Sequence, residues 1–324
     1  MTRRRIKLIA TGGTIATVYK PELGGLAAGL SGEDVLVEPP PGVEVEVEDF
    51  ARINSTYLRP QDMLALSLSL RQILAEEKVD GVVVTHGTST LEETAFFLDV
   101  TVPGAKPVVL TGAQRAASEP WPDGPANLAA ALQVAAAPES RERGTLVTFA
   151  GEVHPARSVR KVHTTSLRAF ASGEAGLLGT VDSSGVHYWR DLPPLRRLPV
   201  SRITEPVDLV VFTAGMDARH IEASIATGAA GIVVSGVGMG NVNEEFYWGI
   251  KKARDAGLVV VMVSRSPDGR VAPRYGYLGG GASLVREGVI FGGALSGPQA
   301  RLLLMIGLGA GLDHEEMTEL FNQY

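Results

Sequence analysis

Three short stretches set threonine hydroxyls beside glycines: Thr11-Gly12-Gly13-Thr14, Thr85-His86-Gly87-Thr88 and Thr111-Gly112-Ala113-Gln114. Each follows a run of Val, Ile and Leu. Each therefore reads as the loop at the carboxyl end of a strand, where open α/β sheets form their ligand crevices. Thr14 is a candidate nucleophile, because Gly12 and Gly13 let the backbone bend so that amide N–H groups face one spot beside the hydroxyl. A threonine that only satisfies a turn has the same pattern. Ser89 and Thr90 stand three residues before Glu92 and Glu93. Both fit the box that caps a helix, which leaves Thr88 as the hydroxyl without a local explanation. A hydroxyl nucleophile needs a base, and Lys161 and His163 lie in the basic stretch 157–163. Burial and like charges lower a lysine pKa toward that use, while a solvated basic loop is the plain alternative. The later Gly236-Val237-Gly238-Met239-Gly240 has G-x-G-x-G spacing, a weak match to a dinucleotide loop, and no G-x-x-x-x-G-K-S/T phosphate loop occurs.

Loops of this kind need a sheet to carry them. Apolar runs without polar alternation recur at 6–10, 81–85, 107–111, 145–150, 207–213, 230–235 and 257–264, as expected of strands buried on both faces. Helical spacing fills the intervals at 60–78, 91–99, 125–137 and 241–256, then at 298–308 and 313–322. In 60–78 the apolar face is read through Leu64, Leu68, Ile73 and Leu74. Residues 43–47 alternate Val and Glu, a half-exposed strand. The alternation predicts a doubly wound, mainly parallel α/β sheet in a larger N-terminal domain, 1–190, and a smaller α/β domain, 207–324. Residues 191–206, with four prolines and three arginines, have the composition of an exposed linker.

Composition narrows the chemistry. Hydrophobic residues are 45% of the 324, which supports a sizeable core. The net charge of -6 argues against a nucleic-acid partner. There is no cysteine, so thiol nucleophiles and thiolate metal sites are excluded, and no His and carboxylate cluster has metal-ligand spacing. The longest apolar run, 302–312, falls short of the roughly 20 residues of a membrane helix. The few apolar residues behind Arg3, Arg4 and Arg5 do not form a signal-peptide core, so a cytoplasmic protein is expected.

The motifs Thr11-Gly12-Gly13-Thr14-Ile15-Ala16, Thr85-His86-Gly87-Thr88-x-Thr90 with Glu92-Glu93-Thr94-Ala95, and Pro107-Val108-Val109-Leu110-Thr111-Gly112-Ala113-Gln114-Arg115 resemble the bacterial asparaginase/glutaminase family. Arg157-x-x-x-Lys161-x-x-Thr164-Thr165, the Gly236 to Asn241 turn and the closing Phe321-Asn322-Gln323-Tyr324 extend the resemblance nearly end to end. It implies hydrolysis of the side-chain amide of a small carboxamide, foremost asparagine, without metal or organic cofactor. It implies Thr14 as nucleophile, Thr88 with Lys161 handling protons, and Ser55 binding the substrate α-carboxylate. Gly87 and Ala113 would offer backbone contacts. Asn241 would come from a neighbouring subunit in a dimer or dimer of dimers.

Two positions depart from the family pattern. Ser89 stands where an aspartate normally holds the substrate α-ammonium, and a serine hydroxyl lacks the charge for that bond. Leu26 stands where a loop tyrosine is normal, with Tyr19 the only tyrosine nearby, and no acid lies between Asp268 and Glu287 to support one. An amidase of different carboxamide specificity, or a non-catalytic small-molecule binding protein, is the alternative expectation.

Overall fold

The computed structural model describes residues 3–324. Two compact units divide at Pro199/Val200. The first contains β1 (Arg4–Gly12), a hairpin of β2 (Thr17–Lys20) and β3 (Gly25–Ala28), α1 (Gly32–Val35), β4 (Val43–Ile53), α2 (Pro60–Ala75), β5 (Gly81–Thr85) and α3 (Leu91–Thr101). It continues through β6 (Val108–Thr111), α4 (Gly124–Ala136), β7 (Thr145–Phe149), β8 (Glu152–Pro155), the short pair β9 (Arg160–Lys161) and β10 (Phe170–Ala171), then β11 (Gly179–Asp182) and β12 (Gly185–Tyr188). The main sheet has the order β12-β11-β8-β7-β6-β5-β1-β4. Strands β4, β1, β5, β6 and β7 are parallel, and β8, β11 and β12 extend the sheet antiparallel. The α/β class and the mainly parallel sheet agree with the sequence.

Full burial explains why the central strands read as continuous apolar runs. Val82 and Val84 face one core with Leu66 and Leu70 of α2 and Leu91, Ala95 and Leu98 of α3. Val83 faces the opposite core with Leu128, Leu132 and Val134 of α4. Strand β4 lies at the sheet edge, and its Val/Glu alternation places Glu46 and Glu48 within 3.4 and 3.1 Å of Lys7 Nζ. Such charges on an edge strand oppose edge-to-edge pairing. In α2 the buried stripe runs through Met63, Leu66, Leu70, Ile73 and Leu74, while Leu68 is only half-buried. Strand β7 ends at Phe149 because Ala150 and Gly151 take φ of 51° and 74° and turn the chain back into β8. Left-handed alanine carries no Asn-Gly or Gly-Gly signal, so this hairpin is hidden in the sequence.

Strand order decides where a ligand can enter. From β1 the chain goes to β4 on one side and then to β5 on the other. The carboxyl ends of these strands flank a topological switch point, the usual crevice of an open sheet.

The second unit is a parallel sheet of β13 (Val207–Val211), β14 (Gly231–Gly236), β15 (Val259–Ser264) and β16 (Ile290–Phe291), in that order. Its helices are α5 (Arg219–Ala226), α6 (Glu244–Asp255), α7 (Gly281–Arg286), α8 (Gly297–Ala310) and α9 (His314–Phe321). Side-chain caps set several of their starts: Asn243 Oδ1 accepts the Phe246 N–H, and Asp313 Oδ1 accepts the Glu316 N–H. The helix read from residue 241 accordingly begins at Glu244. Among the described residues no helix is long and apolar enough to cross a membrane.

Residues 191–206 are not uniformly exposed, contrary to their linker composition. Leu198, Val200 and Ile203 are buried, and Leu198 N–H donates to Val100 O at 2.8 Å. Beneath lies the buried Asp99, which accepts the Thr145 N–H at 2.9 Å and faces Arg157 Nε at 3.5 Å and Arg197 Nη2 at 3.7 Å. Ion pairing to a buried carboxylate thus pins an arginine that composition alone assigns to solvent. Removing one partner of a buried charge cluster leaves the others uncompensated, so Asp99→Ala is expected to cost about 3 to 5 kcal/mol. Urea unfolding measures it, and a loss below about 1 kcal/mol, the scale of an exposed pair, contradicts this role.

Candidate active site

The loop after β1 sharpens at Gly12 and Gly13, both with positive φ, into a turn over Thr14–Ala16. Thr11 Oγ1 donates to Thr85 O at 2.8 Å, tying the ends of β1 and β5 together. Gly13 then lies against Gly87 so closely that a Cβ on it would stand 2.3 Å from the Gly87 nitrogen. Gly87 in turn covers Ser55, whose Oγ would be 2.6 Å from a Cβ at position 87. The loops after β1, β4 and β5 therefore meet at one point, with half-buried Thr14, buried Thr88 and buried Ser55 around it. Ser55 is 3% exposed, and its buried Oγ has no hydrogen-bond partner among the described residues. A buried hydroxyl left unpaired is costly, and a ligand's polar group would satisfy it.

Among the amides of this turn, that of Gly13 is already engaged. Gly13 N–H donates to Ile53 O at 3.2 Å, so it holds β4 in place and does not point at a shared oxyanion spot.

Thr88 is tied to Lys161 from the β9 strand. Lys161 Nζ donates to Thr88 Oγ1 at 2.7 Å and to Gln114 Oε1 at 3.2 Å, and Thr88 Oγ1 donates to Gln114 Oε1 at 3.0 Å. Burial lowers the Lys161 pKa, with Glu92 acting in the opposite direction. Glu92 Oε2 accepts the backbone N–H of Lys161, and burial raises its own pKa. A lysine eased toward neutrality beside a hydroxyl is an arrangement for moving protons.

The helix-cap reading of Ser89 and Thr90 is corrected. Thr90 occupies the N-cap position of α3 but makes no side-chain cap; its Oγ1 donates to Ser55 O at 2.9 Å. Glu92 is drawn to Lys161, and Ser89 is exposed. Tertiary partners outcompete the local box. Ala113 is fully buried behind the loop after β6. Tyr19 and Leu26 are directly paired across the β2–β3 hairpin and so project from the same face, both more than half exposed. The hairpin's hydrogen bonds to the 117–118 segment run from Tyr19 N–H to Ser118 Oγ and from Ala117 N–H to Thr17 O.

Asn241 belongs to the second unit. Its Oδ1 accepts the Gly281 N–H at 3.2 Å and its Nδ2 donates to Val237 O at 3.4 Å, closing the glycine-rich turn after β14 on itself.

The sequence assigns no site role to Gln114 or His86, and reads Glu92 only as part of a helix-capping box. His86 is fully buried, with Nδ1 2.8 Å from Gly87 O and Nε2 2.9 Å from Thr94 Oγ1. A carbonyl only accepts, so Nδ1 carries the hydrogen and Nε2 accepts from Thr94. The imidazole thereby fixes the Gly87 peptide to α3. The one signal for these residues was their place in or just behind strand-end loops.

Comparison with known proteins follows from this geometry. The profile described as "Asparaginase, N-terminal" matches residues 5–194, and that described as "Glutaminase/Asparaginase C-terminal domain" matches 206–321. A Deinococcus radiodurans protein named "Probable L-asparaginase" is 38% identical over 328 residues, 98% of this chain and 97% of that protein. An "L-asparaginase" of Bacillus licheniformis is 34% identical over 310 residues, 95% of this chain and 96% of that protein. A crystal structure of "Probable Cytoplasmic L-asparaginase" from Campylobacter jejuni matches with a TM-score of 0.90 and 31% identity, over 99% of this chain and 100% of that one.

Burial holds the His86 pKa at about 4, against 6.5 for an unburied imidazole, and His154, also fully buried, is lowered likewise to about 4. Between these values the unfolded chain binds the protons that the folded chain refuses. Their contribution is complete above about pH 6.5 and is lost as pH falls toward 4, with a slope on the order of 1 kcal/mol per pH unit for each imidazole. Urea midpoints measured from pH 7 to 4 are expected to fall accordingly. His86→Asn should flatten the slope by about one proton; an unchanged slope would show that His86 is charged in the folded state.

Proposed function

The chain belongs to the asparaginase family, and from that membership we propose that it hydrolyses the side-chain amide of L-asparagine to L-aspartate and ammonia. The observation that carries the reading is the meeting of Thr14, Ser55, Thr88 and Lys161 around the Gly13–Gly87 contact at the switch point. Thr14 Oγ attacks the carboxamide carbon, its proton passes to the leaving nitrogen, and ammonia departs. Thr88 and Lys161 then take a proton from the water that cleaves the resulting ester and restores Thr14. The unpaired Ser55 hydroxyl receives the α-carboxylate, and the backbone at Gly87 and Ala113 lines the carboxamide pocket. Asn241 enters through assembly into dimers or dimers of dimers, each site drawing it from a neighbouring subunit. A cytoplasmic setting accords with the name of the Campylobacter jejuni protein, although a related Haemophilus influenzae protein is named periplasmic.

A second reading follows from Ser89, which brings no charge to the substrate's amino group. Two carboxylates bonded to residues of the cluster are already engaged: Glu92 by Lys161 N–H, and Asp123 by the N–H groups of Gln114 and Arg115 and by Asn127 Nδ2. A carboxamide without an α-ammonium, such as succinamate, would lose nothing here.

Ammonia release from L-asparagine, L-glutamine and succinamate separates the two readings, and no release from any of them at neutral or alkaline pH rejects both. Thr14→Ala is expected to lower kcat/KM by about 10³-fold or more, as loss of a nucleophile does. Ser89→Asp is expected to lower KM for L-asparagine by about tenfold, the worth of one charge-assisted bond, and to leave succinamate unimproved. An unchanged KM would show that another group holds the ammonium.

A further inference from the structure

Gln114 bonds at once to Thr88, to Lys161 and to the loop between β9 and β10. Its backbone N–H donates to both oxygens of Asp123, at 3.1 and 3.0 Å, so its main chain is fixed. Its side-chain Nε2 donates to Ser166 O at 3.1 Å and to Thr164 O at 3.4 Å, in the exposed loop between β9 and β10. Carbonyl oxygens only accept, so the amide orientation is decided: Oε1 must face the other way. There it accepts from Thr88 Oγ1 at 3.0 Å and Lys161 Nζ at 3.2 Å, closing a triangle with the 2.7 Å contact between those two.

That triangle has a direction. An ammonium has no lone pair, so Lys161 is the donor to Thr88, and the Thr88 proton points at Gln114. For Lys161 to take a proton from Thr88 or from water it must first become neutral. A carbonyl stabilises the ammonium less than a carboxylate would, and it keeps the Thr88 hydroxyl oriented meanwhile. The charged and titratable groups around Lys161 are Glu92 and Glu93 of α3, Arg160 beside it on β9, His163 in the loop and Arg168, paired with Glu152, at its far end. None of these contacts replaces the bonds made by Gln114.

We infer that Gln114 is a positioning residue: its carbonyl directs the Thr88 hydroxyl and the Lys161 ammonium, while its amide nitrogen couples both to the 162–169 loop. This inference rests on the reading that Thr88 and Lys161 move protons.

Two length-matched variants of the full chain test it, Gln114→Glu and Gln114→Met. Glutamate puts a carboxylate beside the ammonium and favours the charged form. Activity that rises as Lys161 loses its proton is then displaced to higher pH, by about one unit or more. Methionine removes the acceptor, displaces the same limb to lower pH and lowers kcat by about tenfold or more, with KM changed less than about threefold. Opposite displacements are what a merely structural role would not produce, since that would lower the melting temperature and leave the limb unmoved. The Lys161 titration, followed through the ¹³Cε resonance in lysine-labelled protein, reads the same effect without turnover. If wild type releases no ammonia yet this resonance shifts in opposite senses in the two variants, the amidohydrolase reading fails and the inference stands. If wild type is active and both limb and resonance stay within about 0.2 pH units of wild type in the two variants, the inference is overturned.

Discussion

At Gly13 and Gly87 two backbones touch with no space for a side chain, and the organisation of the site follows from that contact. It is possible because β1 and β5 are neighbours in a parallel sheet and end together, with Thr11 Oγ1 bonded across to Thr85 O. It is needed because Ser55, from the loop after β4, lies directly behind Gly87. Three segments far apart in sequence are thereby held directly against one another. Close packing of this kind fixes geometry without hydrogen bonds, since any displacement meets hard repulsion.

Around that contact the charges are arranged so that few of them compete. His86 is neutral by burial and acts as a strut under the Gly87 peptide. Glu92 is raised and Lys161 lowered, in both cases because burial disfavours the charged form. Lys161 directs its ammonium at uncharged oxygens, Thr88 Oγ1 and Gln114 Oε1. A short hydrogen-bonded triangle of Thr88, Lys161 and Gln114 is thus set against a stiff frame of strand ends.

Much of the frame was legible because burial on both faces writes itself as uninterrupted apolar runs, as in 81–85 and 231–236. The helix at 313–322 was legible through its helical spacing, and Asp313 caps its start. The antiparallel extension of the sheet was not, because Ala150 adopts a left-handed turn without the residues that announce one. At the site, Thr14 and Thr88 could be singled out from loop chemistry, and Lys161 chiefly from family resemblance. Glu92 and Thr90 were misread as a helix cap since a local pattern was present while the competing partners, Lys161 N–H and Ser55 O, were 69 and 35 residues away in sequence. Gln114 carried no signal by type: an amide side chain in a loop is ordinary until its four partners are known.

The Gly13–Gly87 contact also divides the pocket into what evolution can and cannot vary. Where backbone meets backbone, every substitution adds atoms to filled space, so these positions admit no graded change and offer selection no intermediate steps. Ser89 lies one residue from Thr88 yet is exposed. On the proposed reading, substrate preference can change at the rim through residues such as Ser89 while the Gly13–Gly87 contact beneath stays as it is. A frame of this kind thus separates the positions a substitution can alter gradually from those it can only disrupt.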